Sequence, residues 1–213
     1  MSQSPYIVGI SGGSASGKTS FLKHLLRSLP EGKISIVSQD NYYKPKEFQE
    51  VDENGQINFD LPTSIDREAF FRDMQRLAAG ETLHITEYTF NNSSRTARQI
   101  VVQPAPIIVM EGLFIFHYEE IREALDLRVY IDAREEIKLE RRLRRDRDER
   151  GYDQDTVMYQ WEHHVMPSYH RFLRPYRDSA DIIITNNETY DPGLKVLSNH
   201  LRLLISQPDV ALR

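Results

Sequence analysis

The chain contains no cysteine among its 213 residues, so neither a disulfide nor a thiolate zinc site contributes to its fold or chemistry. Long apolar runs are also missing. The longest, Ala105 to Phe116, carries Glu111 and falls well short of the ~20 residues needed to cross a bilayer, so it reads as a buried strand. The polar residues before Tyr6 lack the basic and apolar regions of a secretion signal, and the expected setting is cytoplasmic, with no membrane partner. Nor is there a surplus of positive charge. The net charge of -5 gives no general attraction for nucleic acid, so any basic patch must be local. No Pro/Gly/Ser-rich linker divides the chain, which predicts one α/β domain over residues 1–213 with one active site.

What is present is a rhythm of short β-branched segments separated by helical patterns. Tyr6 to Ser11 reads as a strand that runs into a glycine-rich turn, and Phe21, Leu22, Leu25, Leu26 and Leu29 then recur at helical spacing. Further strands are predicted at Ile34 to Val37, Ile107 to Met110, Leu127 to Ile131 and Ile182 to Ile184. Helices are predicted near Asp66 to Ala79, Arg134 to Asp148, Asp153 to Val165 and Pro192 to Ile205. This alternation favours a parallel sheet, whose ligands bind at the carboxyl ends of the strands. Ser11, Gln39 with Asp40, Glu111 and Asp132 stand at such ends. One region breaks the rhythm. Residues from about 82 to 103 alternate imperfectly around Asn91-Asn92-Ser93-Ser94 and read as a projecting β-ribbon.

Gly12-Gly13-Ser14-Ala15-Ser16-Gly17-Lys18-Thr19 matches G-x-x-x-x-G-K-[ST], a phosphate-binding loop, in its proper context of strand before and amphipathic helix after. Its glycines let backbone N–H groups turn inward on phosphates, Lys18 reaches the β and γ oxygens, and the Thr19 hydroxyl ligates Mg²⁺. The helix that follows adds its positive N-terminal end. Glu111 ends an apolar run where proteins of this type hold magnesium, although a strand-end carboxylate has the plainer use of facing solvent. Asp40 follows the second strand beside the loop and is the candidate general base, with a helix-capping or Asx-turn role as the alternative.

Arg141, Arg142, Arg144, Arg145, Arg147 and Arg150 crowd a predicted helix together with Asp146, Asp148 and Glu149. Such a run is a nucleic-acid surface, a solvated salt-bridged face, or a lid over a transferring phosphoryl group. The phosphate loop favours the lid, over about 134–152, although helix geometry cannot point every arginine at one site.

Together these motifs, with Ser38-Gln39-Asp40-Asn41-Tyr42-Tyr43, Asn58-Phe59-Asp60, Met110-Glu111-Gly112, Glu149-Arg150-Gly151 and Ala180-Asp181-Ile182-Ile183-Ile184, resemble the uridine kinase (uridine-cytidine kinase) family of the phosphoribulokinase group. The resemblance extends from about Tyr6 to Asn186. It implies a P-loop NTPase-type three-layer fold and transfer of the γ-phosphate of ATP, or GTP, to the 5′-hydroxyl of uridine or cytidine, with Mg²⁺ and a homotetrameric assembly. In that likeness Asp40 corresponds to the catalytic aspartate, Thr19 and Glu111 to magnesium residues, and Asp60 and Arg142 to groups gripping the ribose hydroxyls. Tyr88 and Phe90 stand against the base, with Tyr43 also on the substrate side. Arg145 and Arg150 match lid arginines, and Gln160 a substrate-side glutamine.

The departures lie in the acceptor half. Ser93 stands where the family has a histidine that contacts the pyrimidine edge, and Tyr152 replaces a lid arginine after Gly151. Leu61-Pro62-Thr63-Ser64 replaces a His-Pro-Asp-Ala segment. The alternatives left open are a kinase of the same group with another nucleoside or sugar-like acceptor, and a regulatory or nucleic-acid-binding ATPase.

Overall fold

A computed structural model describes residues 4–89 and 97–207. In chain order its strands are β1 (Tyr6–Ser11), β2 (Ile34–Ser38), β3 (Glu50–Val51), β4 (Ile57–Asn58), β5 (Leu83–Thr86), β6 (Gln99–Val102), β7 (Ile107–Glu111), β8 (Leu127–Asp132) and β9 (Ile182–Thr185). The helices are α1 (Lys18–Ser28), α2 (Arg67–Ala78), α3 (Glu119–Glu123), α4 (Glu135–Arg150), α5 (Gln154–Gln160), α6 (Met166–Ser168), α7 (Arg174–Arg177) and α8 (Asp191–Ser206).

β2, β7, β1, β8 and β9 lie side by side in that order, all parallel. A parallel sheet is covered on both faces, so its inner strands are apolar on both sides rather than alternating with polar residues. β7 is buried along its whole length. On one face Val8, Ile10, Val109, Val129 and Ile131 pack against Phe21, Leu22 and Leu25 of α1 and Leu197 and Leu201 of α8. On the other, Ile108, Met110 and Tyr130 pack with Phe70, Met74 and Leu77 of α2 and Leu83, Ile85 and Val102 of the β5–β6 ribbon. The result is three layers. In register, Ile10 and Ser38 both stand opposite Glu111, so the ends of three strands converge at one edge.

Local chemistry sets the element ends. Asp66 caps α2 by accepting the Ala69 N–H at 3.0 Å, and Phe70, Met74 and Leu77 then recur at the spacing that buries one helix face. Gly151 ends α4 with φ of 69°, a left-handed conformation natural to glycine. The predicted helix beginning at Asp153 runs further than Val165. It continues to Arg177 through two wide π turns, Trp161–Val165 and Tyr169–Leu173. Each precedes a proline, Pro167 and Pro175, which lacks an N–H and crowds the carbonyl four residues back; widening the turn relieves that crowding.

The ribbon pairs Leu83–Thr86 with Gln99–Val102 antiparallel. A second two-stranded unit, β3–β4, was not anticipated from sequence, because strands of two residues leave no periodic pattern.

Phe70 is fully buried and meets the Tyr42 ring edge-on at 5.0 Å, just after Asp40 in the chain. Phe70→Ala is expected to lower the unfolding free energy by ~3–5 kcal/mol. Urea denaturation of both proteins measures this, and an unchanged midpoint would contradict the packing described.

Candidate active site

The loop from β1 to α1 turns through conformations that few residues adopt. Gly12 has φ of 152° and Gly17 of 103°, and Ala15 has φ of 60° despite its Cβ. For an L-residue that costs on the order of 1 kcal/mol, a strain sustained by the surrounding loop. A Cβ at Gly17 would collide with the Asn186 side chain, whose Nδ2 donates to Ser16 O at 2.8 Å. The loop is thus pinned from the end of β9. Lys18 Nζ donates to Gly12 O at 2.9 Å and Gly13 O at 3.3 Å. Its burial lowers its pKa, while Glu111 and Asp40 act in the opposite direction.

Ser38 joins the two acidic residues at the sheet edge. Its hydroxyl donates to Glu111 Oε2 at 2.8 Å and accepts the Asp40 N–H at 3.4 Å. Glu111 is buried, and burial first, then the charge of Asp40, pushes its carboxyl up to about 7 against the opposing pull of Lys18 and Ser38. Two carboxylates, a lysine and the exposed Thr19 at the start of α1 therefore share one corner. Hard oxygen donors of this kind, few in number and beside a phosphate loop, fit Mg²⁺, which takes one or two carboxylates together with phosphate oxygens. Among the described residues, no group of three or more His, Cys, Asp or Glu could hold a metal without such help.

The arginines of α4 turn inward around a carboxylate that the sequence left among the charges of the run. Asp146 is fully buried, accepts a hydrogen bond from Arg145 Nε at 2.7 Å, and forms ion pairs with Arg142 Nε at 3.2 Å and Arg150 Nη1 at 3.4 Å. Burial pushes Asp146 up, but the three guanidinium groups prevail and hold it below its ordinary value. Arg142 also donates to Ser14 Oγ at 3.0 Å and Gln160 Oε1 at 3.1 Å and approaches Asp60 Oδ2 at 3.9 Å. Arg147 faces solvent and pairs with Asp148. Five of the six arginines line the cavity and Arg147 does not.

That cavity encloses about 880 Å³ and runs from the phosphate loop to an aromatic end. There the Tyr43 ring lies 5.4 Å from Tyr88 at 38° and 6.1 Å from Phe59. The Tyr88 N–H donates to Asn41 Oδ1 at 3.3 Å, tying the ribbon to the segment after β2. Tyr152, from the turn after α4, joins this end.

The chain that builds this phosphate loop, carboxylate corner and arginine-bearing helix matches a known family model, "Phosphoribulokinase / Uridine kinase family", over residues 7–191. The chain belongs to this family. A uridine kinase of Borrelia turicatae is 35% identical over 207 residues, covering 96% of this chain and 98% of the relative. A uridine kinase of Streptococcus equi subsp. zooepidemicus is 32% identical, covering 97% and 100%. A solved structure from Bacillus stearothermophilus, described as a possible uridine kinase, superposes with a TM-score of 0.60 at 17% identity, covering 86% of this chain and 90% of that one; it shows a shared fold.

Within this phosphoribulokinase/uridine kinase frame, the one cavity gathers Ser14, Ala15, Gly17, Lys18 and Thr19 with Asp40 and Glu111. It also gathers Tyr43, Asp60, Tyr88, Arg142, Arg145, Arg150 and Gln160. Gly12, Gly13 and Ser16 form the buried back of the loop. Phe90 and Ser93 lie outside the described residues. Asp132, a strand-end acid noted from sequence, is engaged elsewhere and accepts from Arg177 Nε at 2.8 Å. Sequence reasoning passed over Lys46, His164, Asn186 and Tyr190, which also line the cavity. It likewise missed Lys138, buried with Nζ 3.7 Å from the Tyr169 ring centroid behind Gly13. None of these carries a local motif.

The raised carboxyl has a consequence for stability. Between its ordinary 4.5 and about 7, Glu111 in the folded protein keeps a proton that the unfolded chain has released, so stability falls as pH rises through that window. Glu111→Gln is expected to remove this slope. Thermal melts of the nucleotide-free proteins from about pH 5 to pH 8 should show the unaltered protein losing ground to the variant; parallel curves would contradict the burial of this charge.

Proposed function

We propose that the protein transfers the γ-phosphoryl group of ATP, or GTP, to the 5′-hydroxyl of a nucleoside of the uridine or cytidine type. One observation carries this reading: a single cavity has the phosphate loop and Lys18 at one end, Tyr43, Phe59, Tyr88 and Tyr152 at the other, and Asp40 and the Asp60–Arg142 pair within it. Aromatic rings suit a planar base, and a carboxylate beside a guanidinium suits vicinal sugar hydroxyls. The full-length likeness to proteins named uridine kinase supports the same acceptor class.

In this reading the loop amides and Lys18 cradle the β and γ phosphates, and Thr19, Glu111 and Asp40 are the residues that would hold Mg²⁺. When bound, the ion neutralises charge on the phosphate oxygens. Asp60 and Arg142, held by Gln160, orient the sugar, and Tyr43 and Tyr88 stack the base. Asp40 holds the acceptor hydroxyl in line and takes its proton as the new O–P bond forms and the bond to the β-bridging oxygen breaks, releasing the nucleoside diphosphate. Arg145 and Arg150 stabilise negative charge on the phosphoryl group in transit. The arginines do not favour the ATPase reading, since Arg142, Arg145 and Arg150 gather on Asp146 rather than forming an open basic face.

A specific observation favours a second reading, a kinase of the same family with a different base or a sugar-like acceptor. Tyr152 lines the acceptor end where the resemblance puts an arginine. Turnover of ATP and GTP against uridine, cytidine, purine nucleosides and ribose decides between them: phosphorylated uridine or cytidine is expected, and preference for another acceptor establishes the second reading.

Two substitutions test the assigned roles. Lys18→Ala is expected to lower kcat by ~10²–10³, the scale for removing one group that stabilises transition-state charge. Asp40→Asn should retain ATP–Mg²⁺ binding within a few-fold while kcat falls by ~10² or more. If binding and turnover fall together in Asp40→Asn, the residue serves mainly to hold metal and not to take the acceptor proton.

A further inference from the structure

The acceptor end of the cavity has a wall with little intrinsic stability. β3 and β4 pair over two residues each, and an isolated two-stranded unit is marginal in water. Yet this hairpin and the segment that follows it supply Ile57, Phe59 and Asp60 to the cavity. Its base is secured by Tyr118, whose hydroxyl donates to Pro62 O at 2.7 Å, and by Gln49, whose Nε2 donates to Lys44 O at 2.7 Å. Its turn is secured by a different set of residues.

Asp52 sits at the start of that turn, and both of its carboxylate oxygens are engaged. Oδ1 accepts the backbone N–H groups of Asn54 at 2.9 Å and Gln56 at 2.8 Å, which closes the turn on itself. Oδ2 accepts from the helix across the cavity: the Tyr159 hydroxyl donates at 2.6 Å and His164 Nε2 lies at 2.7 Å. Asn54 Nδ2 donates to the same tyrosine oxygen at 2.8 Å. The hydrogen bonds from Tyr159 and His164 hold the Asp52 carboxyl well below its ordinary value, with burial opposing them. His164 is almost wholly buried and itself lines the cavity.

The helical residues that reach the turn flank the one that reaches the other end of the hairpin. Gln160 holds Arg142, which approaches Asp60 just beyond β4, while Tyr159 and His164 hold Asp52 just beyond β3. His164 belongs to the wide turn Trp161–Val165, and such turns recur at functional sites because they re-aim side chains. Both ends of the hairpin are therefore fastened to one short stretch of helix, with the acceptor cavity between.

We infer that Asp52, Tyr159 and His164 form a clasp that fixes the spacing of the acceptor wall, making Asp52 and His164 positioning residues for acceptor binding. This rests on the proposed assignment of that end to the acceptor. The clasp acts through Phe59 and Asp60, which it holds in place, and the hydrogen bonds of its side chains run to one another and to the turn, not to the phosphate loop. Loosening it therefore lowers affinity for the acceptor without comparable loss of affinity for the donor.

The test compares Asp52→Asn, His164→Leu and His164→Gln with the unaltered protein, using the acceptor that the panel identifies. Asparagine keeps an oxygen for the turn amides but offers its amide nitrogen, a donor, to Tyr159 and His164; leucine removes the ring donor; glutamine retains one. Asp52→Asn and His164→Leu are expected to raise KM for the acceptor on the order of tenfold, the effect of losing a hydrogen bond to a charged group. KM for ATP should stay within about twofold, and His164→Gln should recover most of the loss. Equal rises in both KM values, no rise in either, or a glutamine variant as impaired as leucine would overturn the proposal. Hydrogen–deuterium exchange on the same variants serves if the unaltered protein phosphorylates no acceptor in the panel, an outcome that refutes the function rather than the clasp. Residues 50–60 should exchange faster in Asp52→Asn while residues 12–19 are unchanged; unaltered exchange across 50–60 would refute the clasp.

Discussion

A single buried carboxylate organises the chemistry of this protein. Asp146 has no exposed surface, and a lone charge in that position would cost several kcal/mol. Arg142, Arg145 and Arg150 offset that cost, and in return are drawn to one side of α4 rather than spread around it. One negative charge against three positive ones leaves a positive surplus directed at the cavity that the phosphate loop enters. The arginines also repel one another: burial first, and then the charge of Arg145, lowers the pKa of Arg150. Without Asp146 they would separate, and Arg142 would lose the orientation that brings it to Ser14, Gln160 and Asp60 together.

The opposite balance prevails at the sheet edge. Lys18 and Glu111 are both buried, and burial disfavours the charge of each, lowering the lysine and raising the acid. They face each other because β7 stands beside β1 and places Glu111 level with Ile10, at the mouth of the loop. Under the proposed function, a negative ligand with its cation enters a corner where the protein's own charges are already poorly solvated. Electrostatic interactions there are stronger than at the open surface, since little water screens them.

The sheet was legible in the sequence because each of its strands is a short apolar run and each helix beside it a periodic one. Tyr6–Ser11, the loop through Thr19 and Glu111 could be placed by local pattern, and the family resemblance assigned Asp60, Arg142 and Gln160 to one region that the cavity then joined. Pairings across the chain were not legible. Asp52 meets His164 across 112 residues and a hairpin too short to show a period. Asp146 lay hidden in a run of charges, since burial of one member is decided by tertiary packing and leaves no mark on the composition. Asp132 shows the converse: its strand-end position suggested chemistry, but Arg177, from a helix extended past two prolines, claims it.

The bond from Asn186 to Ser16 bears on how the protein is made. It spans 170 residues and closes the back of a loop made well before its partner. The strand leading into that loop must likewise wait for its neighbours, since Val8 pairs with Val109 and with Leu127. At synthesis rates of ~5–20 residues per second, Ser16 leaves the ribosome roughly ten to thirty seconds before Asn186 does. The loop thus emerges well before the residue that pins it, and gains that bond only when β9 has been made. Until β9 adds to the sheet edge, the nascent chain carries a recognisable motif with no site around it.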